Sequence, residues 1–314
     1  MNKAIKRATS LTALFSLGFI IHSLYGIDTF FADKVNIENV GWLDNVDDNK
    51  LIKDLYLPGT HNSGARFSFL DISGKCQDLS IKSQLTLGAR FLDVRLKNDS
   101  TGLKVIHGIA DQKLTFKKLL SQCYEFLDKY ESEFIFMSIK EEEKGNSKLS
   151  FEERLKREIN NNYFLENTTL PEKVKDVRGK IVLLSRYSDP TIGVNCSLGW
   201  KDSVTEETNS FTLEKNNIFV QDYYKVTTLD NKKDEIKKAY AYTGANLNLN
   251  FTSGYYVNGF PPSSAFALAK EINTWLVADL FKTKPQGGQI FVSDFITDKL
   301  VNSIIDLNEL ENKE

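Results

Sequence analysis

The chain has 314 residues, 41% of them hydrophobic and 26% charged, and carries a formal net charge of −2. That length and apolar content suit one large α/β domain. The balance of charge excludes nucleic-acid binding driven by electrostatics alone, and no repeat or low-complexity linker divides the chain.

In chain order, Lys3, Lys6 and Arg7 precede an apolar run from Leu11 to Ile21, the layout of a secretory signal peptide. We assign 1–26 to that leader and 27–314 to the mature domain, although neither Gly26 nor Ala32 offers a clean cleavage signature. The run is short for a membrane span. An uncleaved anchor is the alternative, and no cysteine lies there to carry a lipid. Secretion is the expected localisation.

Apolar runs and amphipathic stretches then alternate. Strands are predicted at Asp54–Pro58, Ala89–Leu96, Leu103–His107, Phe134–Lys140, Lys180–Arg186, Ile218–Tyr223, Leu247–Phe251 and Gln289–Phe295. Their Ile, Val and Phe content with little alternation fits parallel strands covered on both faces. Helices are predicted over Thr115–Tyr130, Phe151–Asn160, Lys232–Tyr242, Ser263–Phe281 and Asp298–Asn308. Eight such strands suit an irregular TIM-like (β/α)8 barrel in a single domain, irregular because the link from Leu96 to Leu103 cannot hold a helix. An open doubly wound sheet is the alternative, but its usual Gly-rich phosphate turn is missing from the sequence. Cys76, Cys123 and Cys196 form no CxxC pair or zinc spacing. They leave one disulfide of undetermined pairing, or free thiols.

The chain has three histidines, and His22 falls in the leader. His61 and His107 both end a predicted strand beside a glycine or within reach of one, a minimum kit for acid–base work near neutral pH. The other strand ends carry Asp93 and Arg95, Lys140, Arg186, Asp222 and Asp294. In a barrel these ends converge on one mouth. Cations there would hold a phosphate, and carboxylates would accept sugar or inositol hydroxyls. Singly each has a bland reading: Asp93 and Arg95 as an ion pair, Lys140 as the start of a solvated charge run, Asp222 as a cap.

The ordered blocks LPGTHNSG at 57–64, LGARFLDVR at 87–95, VIHG at 105–108, FMSIK at 136–140, RGKIVLLSR at 178–186, VQDYY at 220–224, NFTS at 250–253 and VSD at 292–294 resemble the bacterial phosphatidylinositol-specific phospholipases C, the X-domain family. The resemblance implies an irregular TIM barrel and a ribonuclease-like cleavage of phosphatidylinositol, with glycosylphosphatidylinositol anchors as further candidate substrates. It implies His61 as general base oriented by Asp294, His107 as general acid, and Arg95 as the cation on the phosphate. Asp93 would position its neighbours, and Lys140, Arg186, Asp222 and Tyr224 would hold the inositol. Some relatives bind Ca²⁺ through acidic residues where this chain has Arg95 and Lys140, so no metal and no other cofactor is expected. Asn62 stands where many bacterial members have an Asp that assists the acid histidine. An amide cannot hold that charge.

Phosphatidylinositol-containing membranes are the expected partner, met transiently by a monomer. Phe67, Phe69, Tyr255, Tyr256 and Phe260 follow strand ends and are the candidate membrane interface, with the loop from Tyr187 to Trp200 a further one. Two other readings stay open from sequence: a metal-dependent glycerophosphodiesterase-like barrel, and a non-catalytic or weakly active inositol-lipid binding module.

Overall fold

The computed structural model describes residues 39–67, 74–201, 209–257 and 265–310. The leader assigned to 1–26, and with it Phe69 and Phe260, lies outside the described residues.

The main sheet follows the order β7-β6-β5-β2-β1-β13-β11-β9-β8. These strands span Val194–Asn195 (β7), Ile181–Arg186 (β6), Ile135–Glu143 (β5), Phe91–Asp99 (β2), Tyr56–Thr60 (β1), Gln289–Ser293 (β13), Leu247–Phe251 (β11), Ile218–Gln221 (β9) and Ser210–Leu213 (β8). Every pair along it is parallel except β8 with β9. The sheet curls into a barrel that stays open between β7 and β8 among the described residues. A two-stranded parallel pair, Lys225–Val226 (β10) with Tyr255–Tyr256 (β12), stands apart from it.

The predicted barrel needs one correction. The strand ending at His107 is not a stave. It is Gly102–His107 (β3), antiparallel to β2 and folded back on Ala110–Thr115 (β4) as a hairpin. The short link from β2 dictates this, because a parallel return needs a crossover of a dozen or more residues.

Among the described residues six helices cover the outside: Ile81–Leu87 (α1), Phe116–Lys129 (α2), Phe151–Glu158 (α3), Leu229–Tyr240 (α4), Ala265–Leu280 (α5) and Asp298–Ile305 (α6). Ser80, Thr115, Ser150, Thr228 and Thr297 each accept a backbone N–H at a helix start, and Ser150 with Glu153 closes a capping box. The sequence periodicity missed α1, which is less than two full turns long.

The strand period of two decides what each side chain meets. Leu57, Phe91, Phe136, Val182, Leu184, Val220, Leu249, Ile290 and Val292 fill the barrel interior. Their neighbours Leu92, Val94, Ile135, Met137, Ile181 and Leu183 pack outward under α1, α2 and α3. Each such fully buried side chain contributes roughly 1.5–3 kcal/mol. Gly59 is required inside, since a Cβ there would lie 2.9 Å from Cβ of Phe91.

Candidate active site

Toward the C-terminal ends of the strands the inward-facing positions change from apolar to polar without changing phase. In β5 the inner face runs Phe136, Ser138, Lys140, Glu142, and in β2 it runs Phe91, Asp93, Arg95. By the same alternation Leu184 is followed by Arg186, Val220 by Asp222, and Val292 by Asp294. The polar cluster is therefore built directly on the core and inherits its rigidity.

His61 lies just past β1, and its Nδ1 is 2.8 Å from Oδ1 of Asp294. Asp294 is 1% exposed, and its other oxygen accepts from the Gly254 backbone at 3.2 Å. A carboxylate can only accept, so His61 Nδ1 carries the proton and Nε2 keeps its lone pair. Two donors face that lone pair, Arg95 Nη2 at 3.1 Å and Asn62 Nδ2 at 3.2 Å. Gln77 Nε2 fixes the strand ends by donating to the carbonyls of His61 and Ser293, both at 2.9 Å.

His107 comes in from the β3–β4 hairpin. Its ring centre is 6.5 Å from that of His61, with the planes at 83°. Its Nδ1 is 3.8 Å from Sγ of Cys76, and the ring also hydrogen-bonds the Gly74 backbone. Burial pulls its pKa below the ordinary imidazole value, the Gly74 contact works the other way, and the charges of His61 and Arg95 add to the lowering.

Asp93, fully buried, accepts from Arg95 Nε at 3.3 Å, from Arg186 Nη1 at 3.2 Å and from the Asn62 backbone at 3.2 Å. Burial opposes its charge, but Arg95 and Arg186 outweigh that and hold it well below the usual carboxylate range. Arg95 in turn stays firmly protonated: burial disfavours its charge, and Asp93, Glu142 and Asp222 more than offset that. Lys140 Nζ meets Glu142 at 2.8 Å, and Arg95 Nη1 meets the same carboxylate at 3.4 Å. Burial would raise Glu142, yet Arg95 and Lys140 bring it down to about 2. Across the mouth the Arg186 guanidinium stacks 3.5 Å above the Trp200 ring, whose Nε1 donates to Asp222 at 3.3 Å. Tyr224 lies 6.2 Å from Tyr255, with Lys225 Nζ 5.2 Å from its ring centre.

The structure thus brings His61, Asn62, Asp93, Arg95, His107, Lys140, Arg186, Asp222 and Asp294 to one mouth. Sequence reasoning missed Glu142, Trp200 and Cys76. The Asn62 amide points at His61, not at His107, which is held by Gly74 and Cys76. Asn62 has φ 42°, a left-handed conformation that Asn tolerates, and its buried Oδ1 has no partner. All three cysteines are buried free thiols. One group could in principle hold a metal among the described residues, His61, Cys76 and Asp294. The Asp294 carboxylate is already engaged by His61.

Residues 61–187 match the model of the phosphatidylinositol-specific phospholipase C X domain. The matched segment carries His61, Arg95, His107 and Arg186, and over it this chain is similar to that family. It is 26% identical to the 1-phosphatidylinositol phosphodiesterase of Staphylococcus aureus strain NCTC 8325, covering 98% of this chain and all of that one. The Listeria monocytogenes enzyme of the same name is 27% identical over 88% of this chain and 87% of its own. A double mutant of the S. aureus phospholipase C superposes with a TM-score of 0.77 at 26% identity, covering 87% of this chain and 98% of that one. The L. monocytogenes structure, at 23% identity and a TM-score of 0.71, supports the family's irregular TIM barrel as the fold.

Proposed function

We propose that this protein is a phosphatidylinositol diacylglycerol-lyase that uses two histidines and no metal. The observation that carries the reading is the His61–Asp294 pair, with its unprotonated Nε2 directed at Arg95 and His107 across from it. In the first step His61 Nε2 takes the proton of the inositol 2-hydroxyl, whose oxygen attacks phosphorus. His107 protonates the glycerol oxygen as the P–O bond breaks, releasing diacylglycerol and leaving inositol 1,2-cyclic phosphate. The roles then reverse for water. Arg95, its side chain 15% exposed, neutralises the phosphate oxygens, a kind of contribution that is often the largest to such a rate. Lys140, Arg186, Asp222 and Tyr224 hold the inositol, with Trp200 bracing the Arg186–Asp222 pair.

Metal independence rests on where the carboxylates are engaged. Asp93 and Glu142, the acids a divalent ion would need, both face Arg95. Glycosylphosphatidylinositol anchors share the inositol-phosphate unit and are candidate substrates. We further propose that the chain is secreted after loss of 1–26 and acts as a monomer at the membrane surface.

The rim supports the membrane reading. The exposed large apolar residues among those described are Ile109, Leu198, Val257, Phe266 and Phe281. Four of them flank the site. Ile109, 98% exposed, is two residues past His107, and Leu198 is two before Trp200. Val257 follows Tyr255 and Tyr256, and Phe266 packs on Phe295, next to Asp294, at 5.2 Å. Of the interface residues expected from sequence, Phe67 is half-buried, with Lys113 Nζ 5.8 Å from its ring, and the Tyr256 hydroxyl is bound to Glu271. The rim we favour is therefore Ile109, Leu198, Tyr255 and Val257.

The test is phosphorus NMR of the purified protein with phosphatidylinositol micelles in excess EDTA. A cyclic phosphodiester that forms first and then yields inositol 1-phosphate is expected. Product only on adding Ca²⁺ would replace this mechanism with a metal-dependent one. No product in either condition, with lipid binding intact, would make the protein a binding module.

A further inference from the structure

Lys232 lies in the second turn of α4, in a run of charged residues, and yet it is fully buried. Its Nζ donates to the Tyr223 carbonyl and to the Phe251 carbonyl, each at 2.6 Å. These carbonyls sit where two adjacent staves meet the mouth. Tyr223 lies between Asp222 and Tyr224, just past β9. Phe251 ends β11, and its ring packs edge-on to His61 at 6.2 Å and to Trp200 at 6.0 Å.

We propose that Lys232 is a positioning residue for the inositol subsite, an internal cation that fixes the ends of β9 and β11 and supports the charges of Asp222 and Asp294. The inference rests on the phospholipase reading of this mouth. Three observations carry it. An ammonium has three donors, and two are committed to carbonyls on different strands, so the side chain joins the staves rather than serving its own helix. Phe251 O also accepts from Gln221 Nε2 at 2.8 Å, whereas Lys232 is the side chain that holds Tyr223 O. The charged groups that face Lys232 are Asp222, Asp294 and Glu235, and two of these three belong to the site.

Burial pulls the Lys232 ammonium down to about 7, with Asp222, Asp294 and Glu235 working against it. Its charge is thus present at mildly acid pH and leaves as the pH rises through neutrality. Neutral lysine still has two N–H groups for the two carbonyls, so the staple persists while the field under Asp222 and Asp294 weakens.

The test compares wild type with Lys232→Met, which keeps the apolar stem. KM for phosphatidylinositol should rise about tenfold below pH 6.5, where wild type carries the charge, and the KM ratio should shrink severalfold by pH 8.5. A purely structural lysine would give a ratio that does not change with pH, and that result, or an unchanged KM, overturns the proposal. Should the variant not fold, lysine-ε ¹³C NMR of wild type supplies the answer. One lysine should titrate near neutrality, and saturating inositol 1-phosphate should move its midpoint upward. A midpoint that stays put despite ligand binding is equally fatal. Coupling in the NMR titration without any lipid cleavage would sink the catalytic reading and leave Lys232 in its role. Cleavage with a pH-independent ratio would sink Lys232 alone.

Discussion

Glu142→Gln isolates a residue that touches both cations of the phosphate side without contacting either histidine. Its carboxyl is lowered from 4.5 to about 2 by Arg95 and Lys140 against the cost of burial. At about 1.4 kcal/mol per pKa unit, that drop corresponds to about 3 kcal/mol of net preference for the charged form. The side chain is 12% exposed, so little of this is lost to solvent screening. The amide keeps the shape and removes the charge. Arg95 retains Asp93 at 3.3 Å, so its placement is loosened rather than lost. We expect about 1–2 kcal/mol of lost transition-state stabilisation, a roughly 5- to 30-fold fall in kcat. KM should not rise, because one fewer carboxylate leaves the site more attractive to a phosphate. The assay is steady-state kinetics on phosphatidylinositol in mixed micelles near pH 7. A kcat within twofold of wild type, or a loss found wholly in KM, would refute the assignment. Stability provides a second check. A carboxyl with a depressed native pKa stabilises the fold above its unfolded value, and that contribution disappears as pH falls from 4.5 toward about 2. The variant should lose this part of the acid dependence.

Other expectations are more direct. His61→Ala and His107→Ala should each lower turnover by about 10²–10⁴-fold with unchanged circular dichroism. Retained activity in either variant would remove that histidine from the mechanism. Asn62→Asp would put a carboxylate where the amide now stands 3.2 Å from His61 Nε2. It should move the acid limb of kcat/KM upward by about one unit, and an unmoved limb would show that the side chain does not face the base in solution. Ile109→Lys should cut the ratio of activity on vesicles to activity on soluble cyclic inositol phosphate by about tenfold, since it replaces an exposed apolar tip with a charge. An unchanged ratio would take the β3–β4 hairpin off the membrane.

What was legible in the sequence followed from periodicity and position. All eight predicted strands exist, and the polar residues at their ends do converge. The misplacement of β3 came from treating every apolar run as a stave, although the link from Leu96 is too short for a crossover. Glu142 was legible in principle, since it lies two residues past Lys140 and so shares its face in an extended strand. The charge run around it disguised that phase. Trp200 and Cys76 could not have been placed, because both sit on irregular segments where no period assigns a direction. Lys232 was hidden for the opposite reason. A lysine flanked by Asn231, Lys233 and Asp234 reads as solvated, and only the packing of α4 against the ends of β9 and β11 turns it inward.

On the proposed mechanism, the way these residues are held leaves the site little rearrangement to make. The inner face that carries Asp93 and Arg95 is continuous with the one that buries Phe91, and the face that carries Lys140 and Glu142 is continuous with Phe136. A side chain at the mouth can shift only if the close-packed layer beneath it shifts, which costs dispersion and burial energy. Asp93 bridges Arg95 and Arg186, and Glu142 bridges Arg95 and Lys140, so each carboxylate limits the motion of two cations. The donors are thus aimed before substrate arrives, and little reorganisation remains for the moment when charge develops on phosphorus. His107 is mounted outside this frame, on a hairpin whose tip is the exposed Ile109. On the proposed mechanism, contact of that tip with lipid would therefore act on His107 while leaving His61 and Arg95 undisturbed.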